Sequence, residues 1–400
     1  MEKRSTLTQQ LVYFDRLTYF QSIRKNCEAV YLDFTKAFDK IPHTKLLHVI
    51  SHFKINKTLL NWIKDFLYNR SQRTVVDSRY SNSCAVTSGV PQGSVLGPLF
   101  FILYLESLIT TLIQSCEDTY VFAFADDLKL LSTNKVELQN GLYIIETWSK
   151  NWDLSLQPKK SEHLSFIFSK LLTCSPNFSI NGDTIPQTNT VRDLGITVSS
   201  NLKWQPYISK FTSRANILSY NIIRSFSSSN ILLYSNLYKT HIRPLLEYNT
   251  VIWNPFLTTD IKRVEAIQKR FTKMACQKNN VKFSSYEERL KIMDLDTLEM
   301  RRVRFDLIFM FKIFKNVVDI KFTNHFKNNV ANQVYNLRGH NLKLELSKYS
   351  GSVIRNNFFC ERIIPIWNRL PKDLAESPSL YVFKQKLKSF DITTIYASKI

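Results

Sequence analysis

The sequence contains no C-x-x-C pair. Its six cysteines, Cys27, Cys84, Cys116, Cys174, Cys276 and Cys360, are scattered, which argues against a zinc knuckle or a disulfide framework and fits reduced thiols inside a cell. His48 and His52 have a spacing that can suit zinc, but no third ligand lies nearby in sequence. The opening Met1 to Gln10 is polar and lacks the apolar core of a signal peptide, so secretion is not expected. Long apolar runs are missing too. Pro98 to Ile113 comes nearest, is short for a bilayer and carries Glu106 in its middle, which favours a buried helix over a membrane span. Neither an internal repeat nor a low-complexity tract interrupts the chain.

Acidic residues are scarce. Against 54 Lys and Arg stand 33 Asp and Glu, a formal charge of +21 over 400 residues. Such a field favours polyanions, either nucleic acid or an anionic membrane. A hydrophobic content of 44%, with 13% aromatics, is enough for a folded protein of more than one lobe.

On this background the placement of three acids stands out. Asp126 and Asp127 sit side by side within the apolar stretch Tyr120 to Leu131, and Asp33 ends a similar run that begins at Ala29. Adjacent carboxylates among apolar strands cost desolvation and mutual repulsion, and a bound divalent cation is the usual remedy. Three acids on strand ends suggest a two-metal site.

Around them the pattern alternates between helix and strand. Leu46, Leu47, Ile50 and Phe53 read as one amphipathic helix after Pro42, and Leu59, Leu60, Ile63, Phe66 and Leu67 as a second. Pro98 belongs in the first turn of the long apolar helix. Leu138, Leu142, Ile145, Trp148 and Trp152 give a helix with one apolar face, while Asn181-Gly182 predicts a two-residue hairpin turn. Strands are expected at Glu162 to Phe168 and near Leu194 to Val198. From Trp204 the pattern turns helical, over Trp204 to Phe226, Ile231 to Tyr248, Thr259 to Cys276, and Tyr286 to Phe314. In the third of these, Ile261, Val264, Ile267, Phe271 and Met274 line one face, and Lys262, Arg263, Lys269, Arg270 and Lys273 lie largely elsewhere. That basic face is either a solvated surface or a contact for phosphates.

In order along the chain, the segments resemble the reverse transcriptases of non-LTR, LINE-like retrotransposons. Tyr31-Leu-Asp-Phe-Thr-Lys-Ala-Phe-Asp39 is similar to the family's first catalytic motif, Ser88-Gly-Val-Pro-Gln-Gly-Ser-Val-Leu-Gly-Pro98 to its second, and Phe124-Ala-Asp-Asp127 to its third. Leu154-Ser-Leu-Gln-Pro-Lys-Lys-Ser161 resembles the fourth and Val191-Arg-Asp-Leu-Gly-Ile196 the fifth. Five motifs in order are far more specific than one acid pair. Ile366-Trp-Asn-Arg-Leu-Pro371 also resembles the region that follows the polymerase in such elements.

The resemblance implies an α+β fold: a polymerase palm with an antiparallel sheet backed by helices and partial fingers over residues 1–203, a helical thumb over 204–279 and a mainly helical C-terminal region over 280–400. It implies an RNA-directed DNA polymerase with an RNA template, a DNA primer and deoxynucleoside triphosphates as partners, and no membrane. Asp33, Asp126 and Asp127 are then the metal ligands and catalytic acids, holding two Mg²⁺ ions, with Mn²⁺ as a substitute. Lys160 is the catalytic lysine expected to protonate departing pyrophosphate, although Gln157 stands where the family usually has asparagine. Phe38, Gln92 and Gly93 are the nucleotide-binding residues. Phe38 would lie beneath the sugar and exclude a 2′-hydroxyl, and glycine beside Gln92 would permit close backbone approach. Gly89 and Pro91 are expected to be turn formers.

Family polymerases carry a basic fingers region, and many an endonuclease, ahead of these motifs, so the chain is expected to be part of a longer element protein. A catalytically silent nucleic-acid-binding remnant is the competing reading. A viral-type RNA polymerase is disfavoured by Phe38 and by Phe-Ala-Asp-Asp in place of Gly-Asp-Asp. The location expected is intracellular, and nuclear by the family's habit of priming at chromosomal DNA.

Any nucleic-acid reading predicts a steep salt response. If about six phosphates are contacted, affinity for a template–primer duplex falls on the order of 10³-fold between about 50 and 200 mM salt, measured by fluorescence anisotropy. A flat response would remove the basic helices from the argument.

Overall fold

The computed structural model describes residues 3–169, 176–321, 326, 339–346 and 351–396; Cys174 lies outside them. The chain forms two compact units, Lys25–Val191 and Met1–Arg24 together with Arg192–Ile400.

The Lys25–Val191 unit is built on five strands: β1 (Cys27–Leu32), β2 (Thr119–Phe124), β3 (Asp127–Ser132), β4 (Glu162–Phe166) and β5 (Gln187–Thr188). Their order in the sheet is β5-β4-β1-β3-β2. All pairings are antiparallel except the short edge pairing of β5 with β4. β1 takes the centre because Cys-Glu-Ala-Val-Tyr-Leu can be buried on both faces, and all but Tyr31 of its residues are buried. Side chains alternate across a strand, so Val30 and Leu32 face one side, where they join Leu128 and Leu130 of β3 in a core closed by helices.

Those helices are His43–Ser51, Lys57–Leu67, Leu96–Ser115 and Lys135–Asn151. Leu96–Ser115 has Pro98 in its first turn, as expected, and buries Phe100, Phe101, Tyr104, Leu105, Leu108 and Leu112 at the three-and-four spacing of one helical face. By length and composition it is apolar enough to cross a membrane, yet this stripe is part of the unit's core. Lys135–Asn151 is capped by Asn134, whose side chain accepts from the Val136 and Glu137 amides. Its Leu138, Leu142, Ile145 and Trp148 enter the same core, and Trp152 stacks on Trp148 just past the helix end. Asn181 and Gly182 make the predicted turn, both with positive φ, between Ser179–Ile180 and Asp183–Thr184.

The other unit contains the helix Thr6–Ser22, opened by a reciprocal Ser5–Thr8 capping box, and its described residues are mainly helical, with a hairpin formed by Thr190–Asp193 and Ile196–Ser199. That hairpin turns at Leu194 and Gly195, both at positive φ. Tyr248 packs so close that a Cβ on Gly195 would lie 2.9 Å from its ring, and the Tyr248 hydroxyl donates to the Leu194 carbonyl at 2.8 Å. Gln10 donates to the Asp193 carbonyl at 2.8 Å, tying the first helix to the fifth motif.

Two expected helices are broken. Between Ile231 and Glu247 a π-helical turn, Tyr238–Ile242, interrupts the α-helix; Pro244 lies just beyond and has no amide hydrogen to continue the regular ladder. Tyr286 to Phe314 is two helices, Tyr286–Ile292 and Leu298–Phe314. Asp294 adopts φ +49° between them, and Thr297 caps the second by accepting from the Met300 amide. The basic helix Thr258–Lys278 is continuous and buries Val264, Ile267 and Phe271, while Lys262, Arg263, Lys269, Arg270 and Lys273 are exposed. Two of the five also bond the neighbouring helix Gln205–Ser225: Arg263 reaches Ser209 at 2.8 Å and Arg270 reaches Asn216 at 3.0 Å.

The C-terminal helix Phe359–Asn368 is core. Trp367 is fully buried and stacks on Phe314 at 4.9 Å. Arg362 forms a bidentate pair with Asp306, Nε to Oδ2 at 2.9 Å and Nη2 to Oδ1 at 2.8 Å, and also donates to the Val251 carbonyl at 2.7 Å. Removing one partner of a buried pair strands the other charge. Arg362→Leu is therefore expected to cost about 3–5 kcal/mol, read as a lowered denaturation midpoint. A midpoint equal to that of the unsubstituted chain would show that Asp306 is accommodated without its partner.

Candidate active site

Strand register sets where the acids lie. β1 and β3 pair with Val30 opposite Leu130 and Leu32 opposite Leu128, and Asp33 and Asp127 are the residues next to that last pair. Side chains alternate along a strand, so these two take the face turned away from the helices that cover Val30 and Leu32. Asp126 lies one residue earlier, in the two-residue turn that joins β2 to β3 between the paired Phe124 and Asp127. The other turn residue, Ala125, has φ +52°, a conformation that costs a non-glycine residue about 1 kcal/mol or more. Asp33 and Asp126 are partly buried and Asp127 is exposed.

The fourth motif folds over the end of β1. Gln157 donates its amide hydrogen to the Asp33 carbonyl at 2.8 Å, Thr35 donates to the Ser155 carbonyl at 2.8 Å, and the Asp33 amide donates to Ser161 Oγ at 3.3 Å. Lys160 belongs to the turn so formed, where its amide donates to the Gln157 carbonyl at 3.0 Å, and its side chain is exposed. The departure at Gln157 leaves this turn intact, since its backbone makes the bonds. Ser161 was not singled out in the sequence; a small hydroxyl beside a lysine carries no signal of its own.

The second motif docks on the first. Val90 donates to the Phe38 carbonyl and Gly89 to the Ile41 carbonyl, both at 2.8 Å. Ser88 Oγ donates to the Asp39 carbonyl at 2.9 Å, and Gln92 Nε2 donates to Asp39 Oδ1 at 2.8 Å. Asp39 therefore aims Gln92, a role the motif pattern does not reveal. Phe38 is half-buried against Phe101, ring centroids 4.7 Å apart, so one side of the ring is fixed by the core.

Gly93, expected to allow close approach, has φ +81° with open space where a Cβ would go. The crowded position is Gly89, also at φ +81°, where a Cβ would lie 2.6 Å from the Asp39 carbonyl oxygen. His43 Nε2 donates to the Gly89 carbonyl at 2.8 Å and Arg70 donates to it at 3.2 Å. Burial lowers the His43 pKa, and the hydrogen bond to Gly89 opposes that shift.

Among the described residues, no three His, Cys, Asp or Glu side chains converge closely enough to cage a metal unaided. His48 and His52 pack edge to face at 4.6 Å, so zinc gains no third ligand there. The Asp33, Asp126 and Asp127 set nevertheless fits magnesium by donor chemistry, because that ion takes hard oxygens, needs one or two protein carboxylates and draws the rest from phosphates and water.

Comparison with known proteins covers the same stretch of chain. The family model described as reverse transcriptase (RNA-dependent DNA polymerase) matches residues 1–198. That segment belongs to the reverse transcriptase family. Its curated relatives include RNA-directed DNA polymerases of transposons and mobile elements. The probable RNA-directed DNA polymerase from transposon X-element of Drosophila melanogaster is 27% identical over 64% of this chain and 29% of its own length. The RNA-directed DNA polymerase from mobile element jockey of the same species is 26% identical over 60% of this chain and 27% of its own. A retrovirus-related Pol polyprotein from type-1 retrotransposable element R2 of Popillia japonica is 27% identical over 59% of this chain and 40% of its own. The chain thus spans less than half the length of these relatives. The reverse transcriptase segment includes all seven residues singled out above: Asp33, Phe38, Gln92, Gly93, Asp126, Asp127 and Lys160.

Within it, the docking of the second motif makes a testable demand. Gly89→Ala combines a left-handed backbone with a clash against backbone atoms, and is expected to cost roughly 2–4 kcal/mol. Gly93→Ala, with strain but no clash, is expected to cost about 1–2 kcal/mol. Thermal melting of the two variants checks the order; equal losses would mean that Asp39 yields.

Proposed function

We propose that this chain is the polymerase part of a non-LTR retrotransposon protein and catalyses RNA-directed DNA synthesis. The observation that supports the proposal is the β1–β3 register, whose last pair, Leu32 with Leu128, is followed by Asp33 on one strand and adjoins Asp127 on the other, with Asp126 in the β2–β3 turn.

The partners are an RNA template, a DNA primer and deoxynucleoside triphosphates. Asp33 and Asp126 hold two Mg²⁺ ions, or Mn²⁺ in their place, and Asp127 completes the cluster. When bound, the ions supply charge neutralisation at the entering and leaving oxygens of an in-line displacement. The chain's own groups do the positioning. Phe38, braced by Phe101, presents a ring that collides with a 2′-hydroxyl. Gln92, aimed by Asp39, contacts the nucleotide or template beside Gly93. Lys160, on the turn bonded to Asp33, donates a proton to the departing pyrophosphate. Electropositive surface such as the exposed Lys262, Lys269 and Lys273 suits a phosphate backbone.

Primer extension on an RNA template with Mg²⁺ tests this reading. Asp126→Asn is expected to reduce extension roughly 10³-fold or more while template–primer affinity, followed by anisotropy, stays within about twofold. Loss of binding in the variant would give the acid a folding role instead. Failure of the unsubstituted chain to extend would favour the silent remnant, and preferential use of ribonucleotides would overturn DNA synthesis.

A further inference from the structure

Lys129 lies in the middle of β3 with only 3% of its surface exposed. Its ammonium nitrogen sits 5.9 Å from the centroid of the Tyr31 ring on β1 and 5.8 Å from that of Phe122 on β2. Both residues are its cross-strand partners, so the side chain lies over the sheet between its neighbours. Two rings supply a modest attraction for a cation. They do not offset the desolvation of an ammonium group, which requires negative charge nearby.

The register says where that charge is. Side chains alternate, so Lys129 shares its face with Asp127 two residues earlier. Asp33 is the diagonal neighbour across β1, since Tyr31 pairs with Lys129, and diagonal Cβ atoms lie about 7–8 Å apart, within reach of a lysine stem. Glu162 follows on the far side of β1, opposite Tyr31. The lysine therefore occupies the row directly beneath the candidate metal carboxylates.

We infer that Lys129 is the built-in counter-charge of the carboxylate cluster, a positioning residue that holds Asp33 and Asp127 in place before cations arrive and weakens cation affinity once they do. This rests on the metal-binding reading of those acids. A divalent ion bound by Asp33 and Asp127 would stand within several ångströms of the ammonium group, and repulsion at that range is not removed by salt. The ammonium group would thus keep a bound ion exchangeable.

The experiment compares the unsubstituted chain with Lys129→Met, which keeps the length and removes the charge, and Lys129→Gln should the first not fold. Mn²⁺ binding is followed by electron paramagnetic resonance. The expected result is Mn²⁺ bound about tenfold more tightly by the neutral variant, with Lys129→Arg returning affinity toward the original. In metal-free buffer, the melting-temperature shifts of Lys129→Met and Asp127→Asn are expected to be non-additive in the double variant, because each removes half of one interaction. Unchanged Mn²⁺ affinity together with additive melting shifts would overturn the inference and leave Lys129 as packing, with the metal reading intact. Absence of Mn²⁺ binding by the unsubstituted chain would overturn the metal reading itself and this inference with it.

Discussion

The pairing of β1 with β3 is the constraint on which the site depends. Neither strand holds a carboxylate cluster alone: Asp33 is one residue past the end of β1, and Asp127 is the first residue of β3. Only antiparallel pairing brings these ends together, and only one register does so with the apolar partners on the helical side. A slip of one residue would turn Val30, Leu32, Leu128 and Leu130 away from the core. Burial of those four side chains therefore sets where the acids lie, and core packing and site geometry are one energetic fact. The helices contribute by covering one face of the sheet, which leaves the acid-bearing face to be defined by what remains.

The motif segments are interdependent for the same reason. The first motif continues from β1 as Asp33 to Asp39, and two other segments bond to its backbone. The fourth motif takes the Asp33 end through Gln157 and Ser161, and the second takes the Phe38 to Ile41 end through Ser88, Gly89 and Val90. Backbone bonds carry no demand on side-chain identity at most of these positions. Gly89 is the exception, because only a residue without a Cβ can lie against Asp39. Ser161, Ser88, Asp39 and Gln92 are the others, since their side chains make the bonds.

Much of the strand and helix content was legible in the sequence, because it is written locally. The apolar run at Ala29, the Asn181-Gly182 turn, Pro98 at a helix start and the three-and-four stripe of Leu138 to Trp148 each report on neighbours within a turn or two. The five motif segments marked the candidate site as well. What could not be read was long-range or conformational. The break at Asp294 lies inside a pattern that stays helical in hydrophobic period, and the cap at Thr297 identifies it only in retrospect. The attachment of Thr6–Ser22 to Asp193 joins residues nearly two hundred positions apart. The crowding at Gly89 depends on which glycine meets another backbone. Lys129, within Leu-Lys-Leu, is buried by neighbours on β1 and β2 that lie far off in sequence.

Charge acts in this protein at two distances with opposite sign. The excess of 21 positive charges works over a Debye length of about 8–10 Å and draws a polyanion toward the surface. The three acids act at contact range, where the Coulomb energy of a divalent ion with a carboxylate is several times that of any single screened surface charge. An acid cluster in so basic a chain repels the phosphates that the surface attracts, unless cations or a lysine intervene. A buried lysine neutralises only part of three carboxylates, so the site retains negative charge.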